Sequence, residues 1–98
     1  PVQVKILPIT DKHFEYSKKL YDKFFALGIR AEIDDRNEKT GKKIRDSQVK
    51  KIPYMLVIGD KEKDSRTVGV RKRSEGDLGS MTLESFRELL DKEFNPIR

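Results

Sequence analysis

The apolar run Tyr54-Met55-Leu56-Val57-Ile58, entered through Pro53 and left through Gly59-Asp60, constrains this chain more than any other stretch. It is too short for a helix and has a breaker at each end, which reads as a strand buried on both faces. Strands of that kind lie in the middle of α/β sheets, where helices cover both sides. The charged segments before it (Asp34 to Lys51) and after it (Asp60 to Arg73) then hang from its ends, and the function is expected among them.

The rest of the chain fits around that strand. Val2, Val4 and Ile6 alternate with Gln3 and Lys5, giving a first strand at about 2–8. Thr10 is placed to cap a helix over about 11–27, with Ser17, Leu20, Phe24 and Leu27 inward, Tyr16, Tyr21 and Phe25 widening the stripe, and Gly28 closing it. Ile29, Ala31 and Ile33 alternate with charged residues as a second strand, and 34–41 is a loop. A second helix over about 41–51 has a thin apolar stripe of Ile44, Gln48 and Ile52, helped by Val49. After the central strand, 53–59, the stretch 60–66 reads as a charged turn and 67–73 as a strand with Val68 and Val70 on one face. Residues 74–80 read as a loop, with one short strand at 77–81. Thr82 caps a last helix that turns Leu83, Phe86, Leu89 and Leu90 inward and ends before Asn95-Pro96. The expected fold is a three-layer α/β/α sandwich: a mixed, mostly parallel sheet of about five strands with three helices, strand one lying between strands two and three. A chain of 98 residues has room for one domain, 1–98. Its start at Pro1 instead of Met reads as a piece of a longer protein.

Several chemistries find no support. The chain has no cysteine and one histidine, which excludes disulfides and thiolate metal sites and argues against a protein-only zinc site. No apolar stretch approaches the ~20 residues needed to cross a bilayer. His13 falls in the first turn of the first helix with no nucleophile placed to use it, and reads as a surface histidine. Asp34-Asp35 is followed by Arg36, Lys39 and Lys42, so a salt-bridged strand end fits better than a pair of catalytic carboxylates. Neither GxxxxGK[ST] nor GxGxxG occurs. No catalytic residue and no metal ligand is assigned.

The charge pattern says more. The net charge is +5, and between Asp34 and Lys51 seven cations (36, 39, 42, 43, 45, 50, 51) outnumber four acids (34, 35, 38, 46). A solvated helix laced with ion pairs accounts for that surplus as well as a nucleic-acid surface does. Arg71 and Arg73 tip the balance, because they share a strand face with Gly69. Glycine leaves bare backbone that a flat ligand can approach, and guanidinium offers two parallel donors to a base edge. Glu62 adds an acceptor suited to the N1–H and N2–H₂ donors of guanine. A pocket of Arg and Glu with few aromatics points to hydrogen-bonded reading of unstacked RNA bases. Arg36, Lys39, Lys42, Lys43, Arg45 and Arg73 are expected to meet the RNA backbone.

The segments DDRNEKTGKKIRDSQVKKIPYMLVIGDKE and VGVRKRSEGDLGSM resemble the C-terminal anticodon-binding domain of class II aminoacyl-tRNA synthetases, most of all the threonyl-tRNA synthetases. The likeness covers nearly the whole chain. It implies a non-catalytic, tRNA-binding module that reads the second and third anticodon bases, G and U, in an enzyme ligating threonine to its tRNA. Carried over by position, the base-reading residues are Asn37, Lys51, Glu62 and Arg71. Where relatives place arginine, Lys51 keeps the charge without the planar fork, and it falls near the start of the central strand while Asn37 and Glu62 follow strand ends. The resemblance further implies a cytoplasmic parent that is homodimeric. Its upstream catalytic domain, in the same chain, would use ATP and Mg and in many members hold Zn, with no cofactor in this piece and no DNA or membrane partner. The alternative from another class is a protein-interaction or dimerisation module of the same fold, which would show exposed apolar patches.

Overall fold

The computed structural model describes residues 2–94. Five strands form one sheet in the order β2-β1-β3-β4-β5, with β1 at Val4–Pro8, β2 at Ala31–Ile33, β3 at Tyr54–Ile58, β4 at Thr67–Lys72 and β5 at Gly76–Thr82. β1 runs parallel to both β2 and β3, whereas β4 and β5 are antiparallel additions to the β3 side. Strand one therefore lies between strands two and three, as the crossover rule requires, and β3 is the middle strand.

Helices α1 (Phe14–Ala26) and α4 (Leu83–Phe94) cover one face of the sheet. There Leu20, Phe24, Phe86 and Leu90 meet Val4, Ile6, Tyr54, Leu56, Ile58, Val68 and Val70 in a single core. Phe86 packs edge-on against both Phe24 and Tyr54 at ring separations of 5.9 and 5.5 Å. The opposite face carries two cross-strand rows: Lys5, Met55, Arg71 and Asp77 in one, Leu7, Val57, Gly69 and Ser80 in the other. Helix α2 (Thr40–Val49) packs on this face over β1 and β3, and Leu7 and Met55 are fully buried there. Among the described residues no helix lies over the same face of β4 and β5. That half of the sheet stays open.

Local chemistry sets most of the boundaries. Thr10 caps a 3₁₀ turn, Asp11–His13, that leads into α1, accepting a hydrogen bond from the Lys12 N–H. Gly28 adopts φ +76° after α1, and Ile29 N–H reaches back to Phe24 O at 2.9 Å, the left-handed closure that glycine permits. Thr82 accepts the Ser85 N–H at the start of α4.

Three expectations need correction. Residues Asp60–Ser65 are not a turn but a short helix, α3, which brings the α-helix count to four. It has no apolar stripe. It is held by a capping interaction in which Gly59 N–H donates to Glu62 Oε1 at 2.8 Å. The strand expected at 77–81 runs from Gly76 to Thr82 and pairs with β4 at every residue but Leu78. Finally, Phe25 and Val49, read as widening apolar stripes, point to water at 73% and 74% exposure, and Leu27 is 43% exposed.

Candidate nucleic-acid interface

The open half of the sheet is a cavity of about 390 Å³. Its floor is Val57 of β3, Gly69 and Arg71 of β4, and Asp77 and Ser80 of β5, with Thr40 and Ile44 of α2 on one side and Lys61 and Glu62 of α3 at the end. The antiparallel return of β4 pairs Gly69 with Val57 and Arg71 with Met55, which sets the arginine on the same face as the bare glycine. α3 delivers Glu62 to the same place: its Oε2 lies 3.7 Å from where a side chain at Gly69 would begin.

Glu62 and Arg71 thus line one cavity, and no ion pair joins them. Glu62 uses Oε1 to accept the Gly59 N–H and keeps Oε2 without a donor among the described residues. Arg71 is half-buried, and its Nε is shielded from solvent with no hydrogen-bond partner among the described residues. Leaving a shielded donor unmade costs about 1–3 kcal/mol, a cost that an acceptor entering the cavity would remove. The arrangement offers an acceptor and a guanidinium fork to a planar group between them. A register shift between Val70 and Arg71 sets Asp77 opposite Arg71, and a bulge of this kind re-aims side chains. Thr40, Asp77 and Ser80 escaped the sequence reading. The signal for the last two was the register of the 67–82 hairpin, which turn composition alone does not fix.

The other expected residues are dispersed. Asn37 is exposed in the loop after β2 and lines a second concavity, about 340 Å³, at the ends of β1 and β2 beside Ile9, Thr10 and Phe14. Only the loop into α2 separates Asn37 from Thr40, so the two hollows adjoin along the chain. Lys51 stands at the opposite end of β3 from Glu62, exposed, in a left-handed conformation with φ +61°. Five residues of strand span roughly 16 Å, so Lys51 and Glu62 cannot grip the same base.

The expected backbone-binding cations divide sharply. Lys43 is 3% exposed, and its ammonium donates to Pro8 O at 3.2 Å and Asp34 O at 3.0 Å. It is a buried clasp tying α2 to the ends of β1 and β2, not a phosphate contact. Arg36 is doubly bonded to Asp34, at 2.8 and 2.7 Å, and also reaches Asp46 at 3.0 Å. That is the salt-bridged strand end read from the sequence, and the Arg36 hydrogen bond holds the Asp34 carboxyl below its usual range against the opposing effect of burial. Lys42 sits loosely between Glu38 and Asp46 at 3.6 and 3.7 Å. Arg73 donates from Nε to Gln48 O. Lys39 and Arg45 are exposed and make no ion pair among the described residues. His13 is a further correction. It is 3% exposed, with Nε2 at 2.7 Å from Asp60 Oδ1.

Residues 3–93 match the family model described as the anticodon binding domain. The chain belongs to that family. This anticodon-binding domain is 52% identical over 93 residues to the threonine–tRNA ligase of Caldanaerobacter subterraneus subsp. tengcongensis, covering 95% of this chain and 14% of the relative. To the threonine–tRNA ligase of Acetivibrio thermocellus it is 57% identical over 86 residues, covering 88% of this chain and 14% of the relative. The chain thus spans about one-seventh of the length of these curated relatives. Among solved structures, the RNA binding domain of threonyl-tRNA synthetase from Cryptosporidium parvum Iowa II superposes with TM-score 0.87 at 30% identity, over 94% of this chain and 23% of that one. Histidyl-tRNA synthetase from Nostoc sp. PCC 7120 also reaches 0.87, over 96% of this chain and 23% of that one, but at 16% identity it shows the fold alone.

Proposed function

We propose that this domain reads the anticodon of threonine tRNA within a threonyl-tRNA synthetase, and contributes no catalytic group to the ligation of threonine. The observation that carries this is the pairing of Glu62 and Arg71 around one open cavity without a bond between them. A guanine at the second anticodon position would present N1–H and N2–H₂ to Glu62, and O6 and N7 to Arg71. The adjoining hollow at Asn37 would take the third base, uracil, whose mixed donor and acceptor edge an amide matches. Lys51, at the far end of β3, would meet a neighbouring nucleotide or phosphate. Lys39, Lys42 and Arg45 supply the sequence-independent attraction to the backbone, with Arg36 and Arg73 adding less because their guanidinium groups are already engaged.

Ligation itself belongs to the remainder of such an enzyme, a cytoplasmic homodimer whose upstream catalytic domain would bind ATP, Mg and, in many members, Zn. Among the described residues no cluster of three or more His, Cys, Asp or Glu converges. No helix among them is long and apolar enough to cross a membrane.

Titration of the chain with an anticodon stem-loop RNA, followed by fluorescence anisotropy, tests the reading. A stem-loop with G then U at the second and third anticodon positions should bind about 5–150-fold more tightly than one with A at the second, the span of a 1–3 kcal/mol mismatch. Equal affinity for the two would contradict it.

A further inference from the structure

Glu62 sits on a helix that cannot hold its own position. α3 has six residues, well below the ~12–15 at which an isolated helix becomes even marginally stable in water. None of its residues is buried. Its geometry must come from its ends, and the N-terminal end is fixed by the segment that follows β1. Ile9 N–H donates to Ile58 O at 2.9 Å, and the Ile9 side chain presses on Gly59 so closely that a Cβ there would lie 2.8 Å from Ile9 Cδ1. His13, 47 residues away in sequence, then reaches Asp60 at 2.7 Å.

The ring of His13 is itself oriented. Thr10 N–H donates to Nδ1 at 3.2 Å, so Nδ1 is the acceptor and the proton of the neutral ring sits on Nε2, pointing at Asp60 Oδ1. That hydrogen bond is the leading cause that holds the Asp60 carboxyl below its usual range. The tie joins a buried, capped ring to an otherwise exposed carboxylate, 4% and 78% exposed respectively. The mechanism described above uses neither residue.

We infer that the His13–Asp60 hydrogen bond is a positioning device for base reading: it fixes the first turn of α3, and through it aims Glu62 across Gly69 at the base held by Arg71. The inference rests on the reading of Glu62 as the guanine acceptor. Asp60 and Glu62 are two residues apart in one turn, and Glu62 closes that turn by accepting the Gly59 N–H. Releasing Asp60 lets the turn rotate or fray, and the carboxylate loses its register against Arg71 while the cationic groups of α2 and its preceding loop stay where they are. The loss should therefore fall on base discrimination and spare overall RNA attraction.

The experiment compares the wild-type chain with Asp60→Ala, Asp60→Asn and Glu62→Gln, each titrated against stem-loops with G or A at the second anticodon position. Asp60 is exposed, so its variants should remain folded, which circular dichroism checks. Asp60→Ala should reduce the G-over-A preference by at least about twofold, the lower end of couplings within one hydrogen-bonded network, with little change in affinity for the A-bearing RNA. Asp60→Asn, whose amide oxygen still accepts from Nε2–H, should restore the preference. If Glu62→Gln lowers the preference while Asp60→Ala does not, the positioning role is overturned and base reading stands. Asp60→Ala weakening both RNAs alike, or Asp60→Asn failing as Asp60→Ala does, also overturns it. If Glu62→Gln leaves the preference untouched, the reading of Glu62 falls, and the inference with it.

Discussion

Replacing Lys43 by Met separates a buried clasp from a phosphate contact. The lysine lies within α2, and its ammonium is the donor to Pro8 O and Asp34 O; both of those residues are buried. Methionine follows the lysine stem but donates nothing, so two shielded carbonyls lose their partner at about 1–3 kcal/mol each. Against this, the variant no longer removes a charge from water, which returns part of the several kcal/mol that burying an ion costs. The balance is a destabilisation of about 2–4 kcal/mol, and at about 4–8 °C per kcal/mol for a domain of this size Tm should fall by about 8–32 °C. Urea unfolding followed by circular dichroism gives the free energy, with Lys42→Met as the control, since an exposed neighbour should change stability by no more than about 0.5 kcal/mol. RNA binding supplies the other half of the test. Lys42→Met should flatten the dependence of log K on log salt by about 0.7 if it meets a phosphate, and Lys43→Met should leave that slope alone. A Lys43→Met chain as stable as the control, with a flattened salt slope, would refute the reasoning.

Three further substitutions probe the same fold. Leu56 is fully buried at the centre of the sheet, between Ile6 and Val70, so Leu56→Ala should cost about 2–5 kcal/mol in urea unfolding. Lys51 holds φ +61° beyond the end of α2, and Lys51→Gly should raise stability by about 0.5–1 kcal/mol once the added freedom of the unfolded chain is allowed for; an accompanying loss of RNA affinity would then belong to the missing charge. The Asp34 carboxyl has its folded pKa lowered by Arg36, so its contribution is present above the unfolded value near 3.9 and is lost as pH falls through the depressed one. Asp34→Asn should therefore be less stable than wild type at pH 7 and show a shallower decline in stability below about pH 4.

What could be read from the sequence divides along physical lines. The apolar run of β3, the alternation of β1 and the stripes of α1 and α4 were legible because burial writes directly into residue pattern. α3 was not, because its sequence, Asp60-Lys-Glu-Lys-Asp-Ser65, carries no apolar period. The one signal it does carry is Glu62 three residues after Gly59, the second half of a capping box. His13 and Lys43 were misread for a related reason: polar residues are exposed by default, and their burial here depends on partners 47 and 35 residues away. Glu62 and Arg71 were paired correctly as neighbours, since a strand returning after a short connection must lie beside the one it left. Asn37 and Lys51 could be named only through family likeness. No local pattern places a loop residue or a helix-end lysine against a ligand.

The central claim is that Arg71 and Glu62 hold a guanine between them. Its most direct measurement is the affinity of wild-type and Arg71→Ala chains for stem-loops with G or A at the second anticodon position, at one fixed salt concentration. The account predicts that wild type prefers G by about 1–3 kcal/mol and that most of this preference disappears in Arg71→Ala. An Arg71→Ala chain that rejects the A-bearing RNA as strongly as wild type does would contradict it.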